Sequence, residues 1–375
     1  MQISEFPDLP QVLRQATMRA LTAQHEGRLF EADRLFHQIA VKRPLHPLLA
    51  HTASGFRLLK GDYAGAWALA ERRLELPYYT HRPFAHMDAP MWDGSPMPDG
   101  RLLIFCDLGL GDTILLARFL PWVQARVGGL AMQVNTGTAA FWHHRLPDAE
   151  ISGINDPPPA CTARINMFCL PRLFGATAEN MPPPGYIHSR ADERAHWRAR
   201  LSGDIKVGLS WQGNPDHVRD FERSIPFDRL RVILDDPVLR DAGVRFFSLQ
   251  LHQGRTDAAD AIAAGEIEDL TPGIMARDPL EASAALIDEL DLVIAVDSAL
   301  ANLAGAMNRP FWLPTYKVPD WRWRNYPSLD FAAPLPSPWY GSARVFACCE
   351  RQVWEPVVAD MHKNLRDVAT RPGAV

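Results

Sequence analysis

The chain has 375 residues, of which 47% are hydrophobic and 22% charged, enough to bury two or three cores and ordinary for a globular, enzyme-sized protein. Its formal net charge of −5 gives no basic footprint, which argues against nucleic acid as the main partner while leaving a local phosphate site open. The cysteines Cys106, Cys161, Cys169, Cys348 and Cys349 are odd in number and lack metal spacing, which suits a reducing, cytoplasmic compartment. Met1–Pro10 has no basic segment followed by an apolar core, and no run approaches the roughly 20 apolar residues that span a bilayer. No transmembrane segment is expected; peripheral membrane contact stays open.

Residues 12–77 carry a repeat. Gly27-Arg28-Leu29-Phe30-Glu31-Ala32 recurs as Gly61-Asp62-Tyr63-Ala64-Gly65-Ala66, a spacing of 34 positions, which is the tetratricopeptide period, and Pro44 stands where the first repeat ends. Apolar residues at helical spacing (Leu21, Phe30, Leu35, Phe36, Ile39, then Leu58, Leu59, Tyr63, Trp67, Leu69, Leu74) predict four helices in two hairpins. Two repeats bury too little to stand alone, so the module should dock on the next domain of the chain, either as a partner groove or as a structural buttress.

Pro77–Asp99, with five prolines, reads as an extended connector. After it the spacing predicts a strand at Arg101–Cys106, a turn at Gly109-Leu110-Gly111-Asp112, a helix over Thr113–Val127 and a strand at Leu130–Val134. The glycine pair is not a dinucleotide fingerprint: its third glycine position is Ile114, and no acidic residue follows the second strand at Val134-Asn135. Further strands are expected at Ala149–Ile154 and Arg164–Leu170, and a charged helix at Asp192–Leu201. Gly203-Asp204 then marks a hinge into a second half. There the alternation predicts strands at Ile205–Trp211 and Val244–Leu249, and helices at Pro226–Leu234 and Pro279–Leu290. A buried strand at Leu292–Val296 leads into a small-residue helix ending near Asn308, and Val353–Leu365 forms a terminal helix.

Several residues on this frame could carry chemistry. The helix opened by Asp297-Ser298 would aim unpaired N–H groups of Ser298, Ala299 and Leu300 at the crevice where open α/β sheets bind ligands, which suits a diphosphate, although an ordinary βα unit reads the same way. Asp112, next to a helix start, is either a plain N-cap or a general base kept ionised by the helix dipole. The turn Trp211-Gln212-Gly213-Asn214-Pro215 follows a strand directly, and Arg223, just before a helix opened by Pro226, is either a surface residue or a bidentate diphosphate clamp. Trp321 and Trp323, either side of Arg322 after Pro319-Asp320, could stack on a sugar or base or lie in a half-buried strand. No glycine-rich loop ends in Gly-Lys-Ser or Gly-Lys-Thr, no Gly-x-Ser-x-Gly elbow occurs, and no pair of aspartates separated by one residue or two-histidine helix motif offers a metal site. A metal-free transfer from a nucleotide diphosphate survives this elimination.

In order and spacing, the motifs resemble a family of bacterial tetratricopeptide-repeat proteins with a glycosyltransferase-like domain. That family is related to the ADP-heptose lipopolysaccharide heptosyltransferases and, more distantly, to the O-linked N-acetylglucosamine transferases. The residues that carry the resemblance run over nearly the whole chain. They are Gly61-Asp62-Tyr63, Trp92-Asp93-Gly94, Gly109-Leu110-Gly111-Asp112-Thr113, Val207 through Pro215, Arg223-Ser224-Ile225-Pro226, Ser248-Leu249-Gln250, Asp297-Ser298-Ala299, Asp320-Trp321-Arg322-Trp323 and Ser337-Pro338-Trp339-Tyr340.

The resemblance implies an α/β protein of GT-B type with two facing Rossmann-like domains behind a small all-α tetratricopeptide-like module. Its parts would be helical repeats (1–77), a proline-rich connector (78–99), an acceptor domain (100–202), a nucleotide-sugar domain (203–347) and a terminal segment (348–375) crossing back to the first domain. It further implies a metal-independent, inverting glycosyltransferase with no cofactor, taking a nucleotide-diphosphate sugar and a protein or glycan acceptor. Asp112 would be the base. The donor would meet Trp211, Asn214, Arg223, Gln250, Asp297, Ser298, Ala299, Leu300 and Asn302, while Gly109, Gly111, Asp320, Trp321, Arg322 and Trp323 would line the cleft. Two positions depart from the family pattern: Asn302 stands where histidine is usual, and Leu108 where glutamine is frequent. Asn302 can hydrogen-bond but carries no charge. A silent scaffold that binds a protein partner through the repeats and a sugar-nucleotide epimerase on the same architecture are the competing readings.

Overall fold

The computed structural model describes residues 11–26, 28–42, 46–217, 220–251, 254–315, 320–323, 337–347 and 353–370. Gly27, Pro44, Pro319, Cys348 and Cys349, named above, lie outside them.

Helices α1 (Gln11–His25), α2 (Leu29–Lys42), α3 (Pro47–Leu59) and α4 (Tyr63–Glu71) open the chain, α1 packed on α2 and α3 on α4 as the apolar spacing predicts. Asp62 starts α4 by accepting from the Gly65 amide at 3.2 Å, and Gly61 turns the chain ahead of it with φ of 77°. The module docks through Trp67, whose indole N–H donates to the Ala176 carbonyl at 2.9 Å. Its ring lies edge-on to Phe168, Trp321 and Trp339.

The connector does not run extended. Prolines open a short helix, α5 (Pro77–Thr80), and a 3-10 turn at Pro83–His86, and the last residues of the segment already belong to β1 (Met97–Phe105). The helix expected over Thr113–Val127 is likewise broken: α6 (Leu110–Leu116) tightens into a 3-10 turn at Ala117–Phe119 before α7 (Leu120–Gln124), where Pro121 brings no N–H for a continuous ladder. Strands β2 (Val127–Val134), β3 (Glu150–Gly153) and β4 (Ala163–Asn166), with helices α8 (Ala139–Arg145), α9 (Leu170–Leu173) and α10 (Ala191–Arg198), complete this half. Its sheet is parallel in the order β3-β2-β1-β4. The strand expected to reach Leu170 stops at Asn166, whose side chain accepts from the Phe168 amide and turns the chain.

The second half contains β5 (Ile205–Ser210), α11 (Asp220–Arg223), α12 (Phe227–Leu234), α13 (Pro237–Asp241), β6 (Val244–Ser248), α14 (Ala259–Ala263) and β7 (Glu268–Asp269). It continues with α15 (Thr271–Met275), α16 (Pro279–Glu289), β8 (Leu292–Ala295), α17 (Ala299–Ala306), β9 (Phe311–Thr315), β10 (Ala343–Ala347) and α18 (Glu355–Thr370). Its parallel sheet runs β10-β9-β8-β5-β6-β7, the doubly wound order, with the reversal between β5 and β8. Every residue of β8 is buried, which explains its unbroken apolar run. Ser298 caps α17 by accepting from the Ala301 amide, and Asn308 ends that segment at a left-handed φ of 57°.

The terminal helix, expected to cross back to the first half, packs instead on α12, α13 and β10 of the second, burying Val357, Val358, Met361 and Leu365. Arg366 and His362 on α18 both reach Asp236, the N-cap of α13, and hold its carboxyl well below the usual range. Contact between the halves comes from α6, which lies directly on α17, and from α10, which packs on α16. Among the described residues no helix is long and apolar enough to cross a membrane.

Candidate active site

The switch point of the second sheet places its loops where ligands enter such folds. Asp297 and the start of α17 leave the carboxyl end of β8, and Trp211–Asn214 leaves the neighbouring end of β5. Arg223 sits between them. Its Nε donates to Asp220 Oδ1 at 2.9 Å, Nη1 to the Asp297 carbonyl at 3.0 Å and Nη2 to the Asn214 carbonyl at 3.4 Å. Asp220 is itself fixed by the Ser224 hydroxyl, which in turn accepts from the Gly213 amide at 3.0 Å. A side chain at position 213 would meet Arg223 and Asp220 at 2.6 Å, so a glycine there lets the loop close over the guanidinium.

Across the contact between the halves, Asp112 lies in the first turn of α6. Its carboxylate accepts from Nη2 of Arg322, whose Nη1 donates to Asp320 at 2.6 Å and whose guanidinium lies 4.2 Å from the Trp321 ring centre. These carboxylates hold Arg322 firmly charged, while burial and the nearby Asp320 push Asp297 up to about 6. The approach of α6 to α17 depends on Gly111: a Cβ at that position would stand 2.9 Å from Asn302 Nδ2 and 3.5 Å from the Ala299 Cα. Asp112 is therefore beside the N-terminus of α17.

The sequence-predicted residues fall into two groups. Gly109, Gly111, Asp112, Asn214, Arg223, Asp297, Ser298, Ala299, Leu300, Asp320 and Arg322 gather around this contact and keep some surface. Trp211, Gln250, Asn302, Trp321 and Trp323, where donor or sugar contact was expected, are buried against other residues of the chain. Trp211 packs on Phe227 and donates to the Gly254 carbonyl. Gln250 accepts from the Trp211 and Gln212 amides and returns a bond to the Gln212 carbonyl, tying the ends of β5 and β6 together. Asn302 donates to the Ser298 carbonyl and accepts from the Tyr340 hydroxyl. Trp321 belongs to the cluster around Trp67 and Trp339, and Trp323 to one with Phe311 and Tyr340. Half-buried rings at alternating positions look alike in sequence whether they face a ligand or a core.

Sequence reasoning missed the residues at the carboxyl ends of β1 and β4. Arg73, from the helical module, donates to Asn166 at 2.6 Å, to Asp107 at 3.3 Å and to the Tyr79 hydroxyl at 2.6 Å, and Arg73, Asp107 and Asn166 are all buried. The module thus fills the switch point of the first sheet with its own guanidinium. His51 of α3 is close enough to feel Arg73, Arg322, Asp112 and Asp320; burial first, then the two arginines, hold it down at about 4, so it is neutral at pH 7. The position of Asp107 just after a strand was the available signal; nothing local marks Arg73. A groove of about 570 Å³ between α12 and α18, lined by Val232, Val358 and His362 among others, contains none of these residues.

No family model matches the chain. Among curated proteins it is 28% identical over 340 residues to Protein FlbA of Caulobacter vibrioides, a match covering 83% of this chain and 54% of FlbA. The chain spans about half the length of that relative. Among solved structures it is similar to the Escherichia coli ADP-heptose lipopolysaccharide heptosyltransferase II, at 12% identity over 71% of this chain and 98% of that one, with a TM-score of 0.46. It is also similar to the dodecameric glycosyltransferase TibC of enterotoxigenic E. coli (14% identity, 74% and 78% covered, TM-score 0.46). A family 9 glycosyl transferase from Veillonella parvula gives 13% identity, 72% and 92% covered, and a TM-score of 0.44. Likenesses this loose assign no activity.

Proposed function

We propose that the protein is a cytoplasmic, metal-independent, inverting glycosyltransferase of GT-B type that moves a sugar from a nucleotide diphosphate to a hydroxyl of a protein or glycan. The observation that carries this reading is the convergence, at the β5–β8 switch point, of Arg223, the start of α17 and, from the other half, Asp112. The motif order of the sequence supports it. In the reaction the acceptor oxygen bonds to the anomeric carbon as its proton passes to Asp112. The bond from that carbon to the β-phosphate oxygen breaks, and the nucleoside diphosphate leaves toward Arg223 and the amides of Ser298, Ala299 and Leu300. The helical module would hold a protein acceptor or partner.

A panel of nucleoside diphosphates and their sugars tests the donor site: a true donor at a hundred times its dissociation constant should raise stability by about 2.7 kcal/mol. Asp112→Asn should then abolish transfer without weakening donor binding. A scaffold without transferase activity is the second reading, favoured by one observation: Asp112 is already paired with Arg322 and α6 already rests on α17. Indifference to the whole panel would select it.

A further inference from the structure

Resting on the donor reading above, the geometry points to Arg322 as a second diphosphate ligand, for which the Asp112 carboxylate is a stand-in: an incoming diphosphate takes the Nη2 edge of Arg322 and in the same exchange releases Asp112. The guanidinium is fixed on two sides by its own loop. Asp320 Oδ1 accepts both Arg322 Nη1 at 2.6 Å and the Arg322 amide at 3.0 Å, and the Trp321 ring lies beneath the charge. These partners are neighbours in sequence and travel with Arg322. Asp112 is different, because it reaches Arg322 from α6 across the contact between the halves. The Nη2 edge is therefore presented to whatever anion stands next to α17, and in this structure that anion is a carboxylate.

The other guanidinium is not free to do this work alone. Arg223 spends Nε on Asp220 and its two terminal nitrogens on the carbonyls of Asp297 and Asn214. The carboxylates of Asp112, Asp220, Asp297 and Asp320 outnumber Arg223 and Arg322, so a diphosphate entering with all of them in place would meet net negative charge. Moving Asp112 off Arg322 removes one carboxylate from the anion's seat and leaves that carboxylate without its cation. The base becomes available only when the donor has arrived.

The test measures binding of ADP, GDP, UDP, CDP and dTDP by calorimetry to the full chain and to Arg322→Gln, Arg322→Lys and Asp112→Asn. For whichever diphosphate binds, Arg322→Gln should weaken affinity at least tenfold, Arg322→Lys less, and Asp112→Asn should tighten it about threefold or more because the competing carboxylate is gone. Binding that Asp112→Asn gains where the full chain shows none would support the exchange equally. Unchanged affinity in Arg322→Gln, or weaker binding in Asp112→Asn, would overturn it while leaving the donor site intact. If neither the full chain nor Asp112→Asn binds any of the five, the exchange and the transferase reading fall together.

Discussion

Arg322 and Asp112 form an ion pair that joins two parts of the chain 210 positions apart, one from the loop after β9 and the other from the first turn of α6. Their side chains are 16% and 23% exposed, intermediate between a surface pair and a buried one. Arg322→Gln leaves Asp112 and Asp320 facing each other without a cation and should cost about 1–3 kcal/mol. Asp112→Asn should cost less, because Arg322 keeps Asp320. A double-mutant cycle in urea denaturation should return a coupling near 1 kcal/mol; a coupling within experimental error would show that the two groups do not hold the halves together.

Gly111 sets how closely those halves meet. Gly111→Val would press a branched side chain into Asn302, which is itself held by Ser298 and Tyr340, and into the backbone at Ala299. Overpacking of this kind should cost about 1–3 kcal/mol. The strain has an outlet, since α6 can lift from α17, so solution scattering should record a larger radius of gyration. An unchanged radius together with unchanged stability would mean that the contact is looser than the structure describes.

Whether a feature was legible in the sequence depended on the pattern it leaves there. Strands buried on both faces, such as β5 and β8, appear as short apolar runs, and Ser298 and Asn308 mark the helix ends they punctuate. The helix through Ala117–Phe119 and the turns within 77–99 depend on where single prolines fall relative to the backbone ladder, which periodicity does not resolve. Among the candidate site residues, Asp112, Arg223 and the Asp297 turn stood out in the sequence because they flank predicted elements. Arg73 was not: its partners Asp107 and Asn166 lie at strand ends 34 and 93 positions away, and no local pattern announces a guanidinium that plugs another domain's switch point. Trp211, Trp321 and Trp323 are buried, and an aromatic beside a loop has the same sequence signature whichever way it turns.

Trp67 should prove to be the anchor of the helical module. It is 1% exposed, shares ring contacts with Phe168, Trp321 and Trp339 at 5.7–6.0 Å between centres, and donates to Ala176. Trp67→Ala removes all of these and should cost about 3–5 kcal/mol, whereas Trp67→Phe keeps most of the packing and should cost less. Because Trp321 underlies Arg322, limited proteolysis of Trp67→Ala should expose both the 78–99 connector and the Arg322 loop. Cleavage confined to the connector would show that the module docks without steadying that loop.

The site should also make stability depend on pH in two opposite ways. His51 is held at about 4, below its unfolded value of about 6.5, chiefly by burial. Between those values the unfolded chain takes a proton that the folded chain refuses, so the contribution of His51 is complete above about pH 6.5 and is lost as the pH falls toward 4. Asp297 is held up to about 6, chiefly by burial and then by Asp320, against about 3.9 when unfolded. Here the folded chain keeps the proton longer, so stability falls as the pH rises from about 4 to 6, and the ionised carboxylate remains a cost at pH 7. Asp297→Asn should therefore raise the unfolding free energy near pH 7.5 by about 1 kcal/mol, with the gain fading below pH 5. His51→Gln should gain on the parent chain only as the pH drops below about 6.5. Urea titrations in half-unit steps from pH 4.5 to 8 separate the two. An Asp297→Asn gain of equal size at pH 5 and pH 8 would assign the effect to packing and remove ionisation of Asp297 from the account.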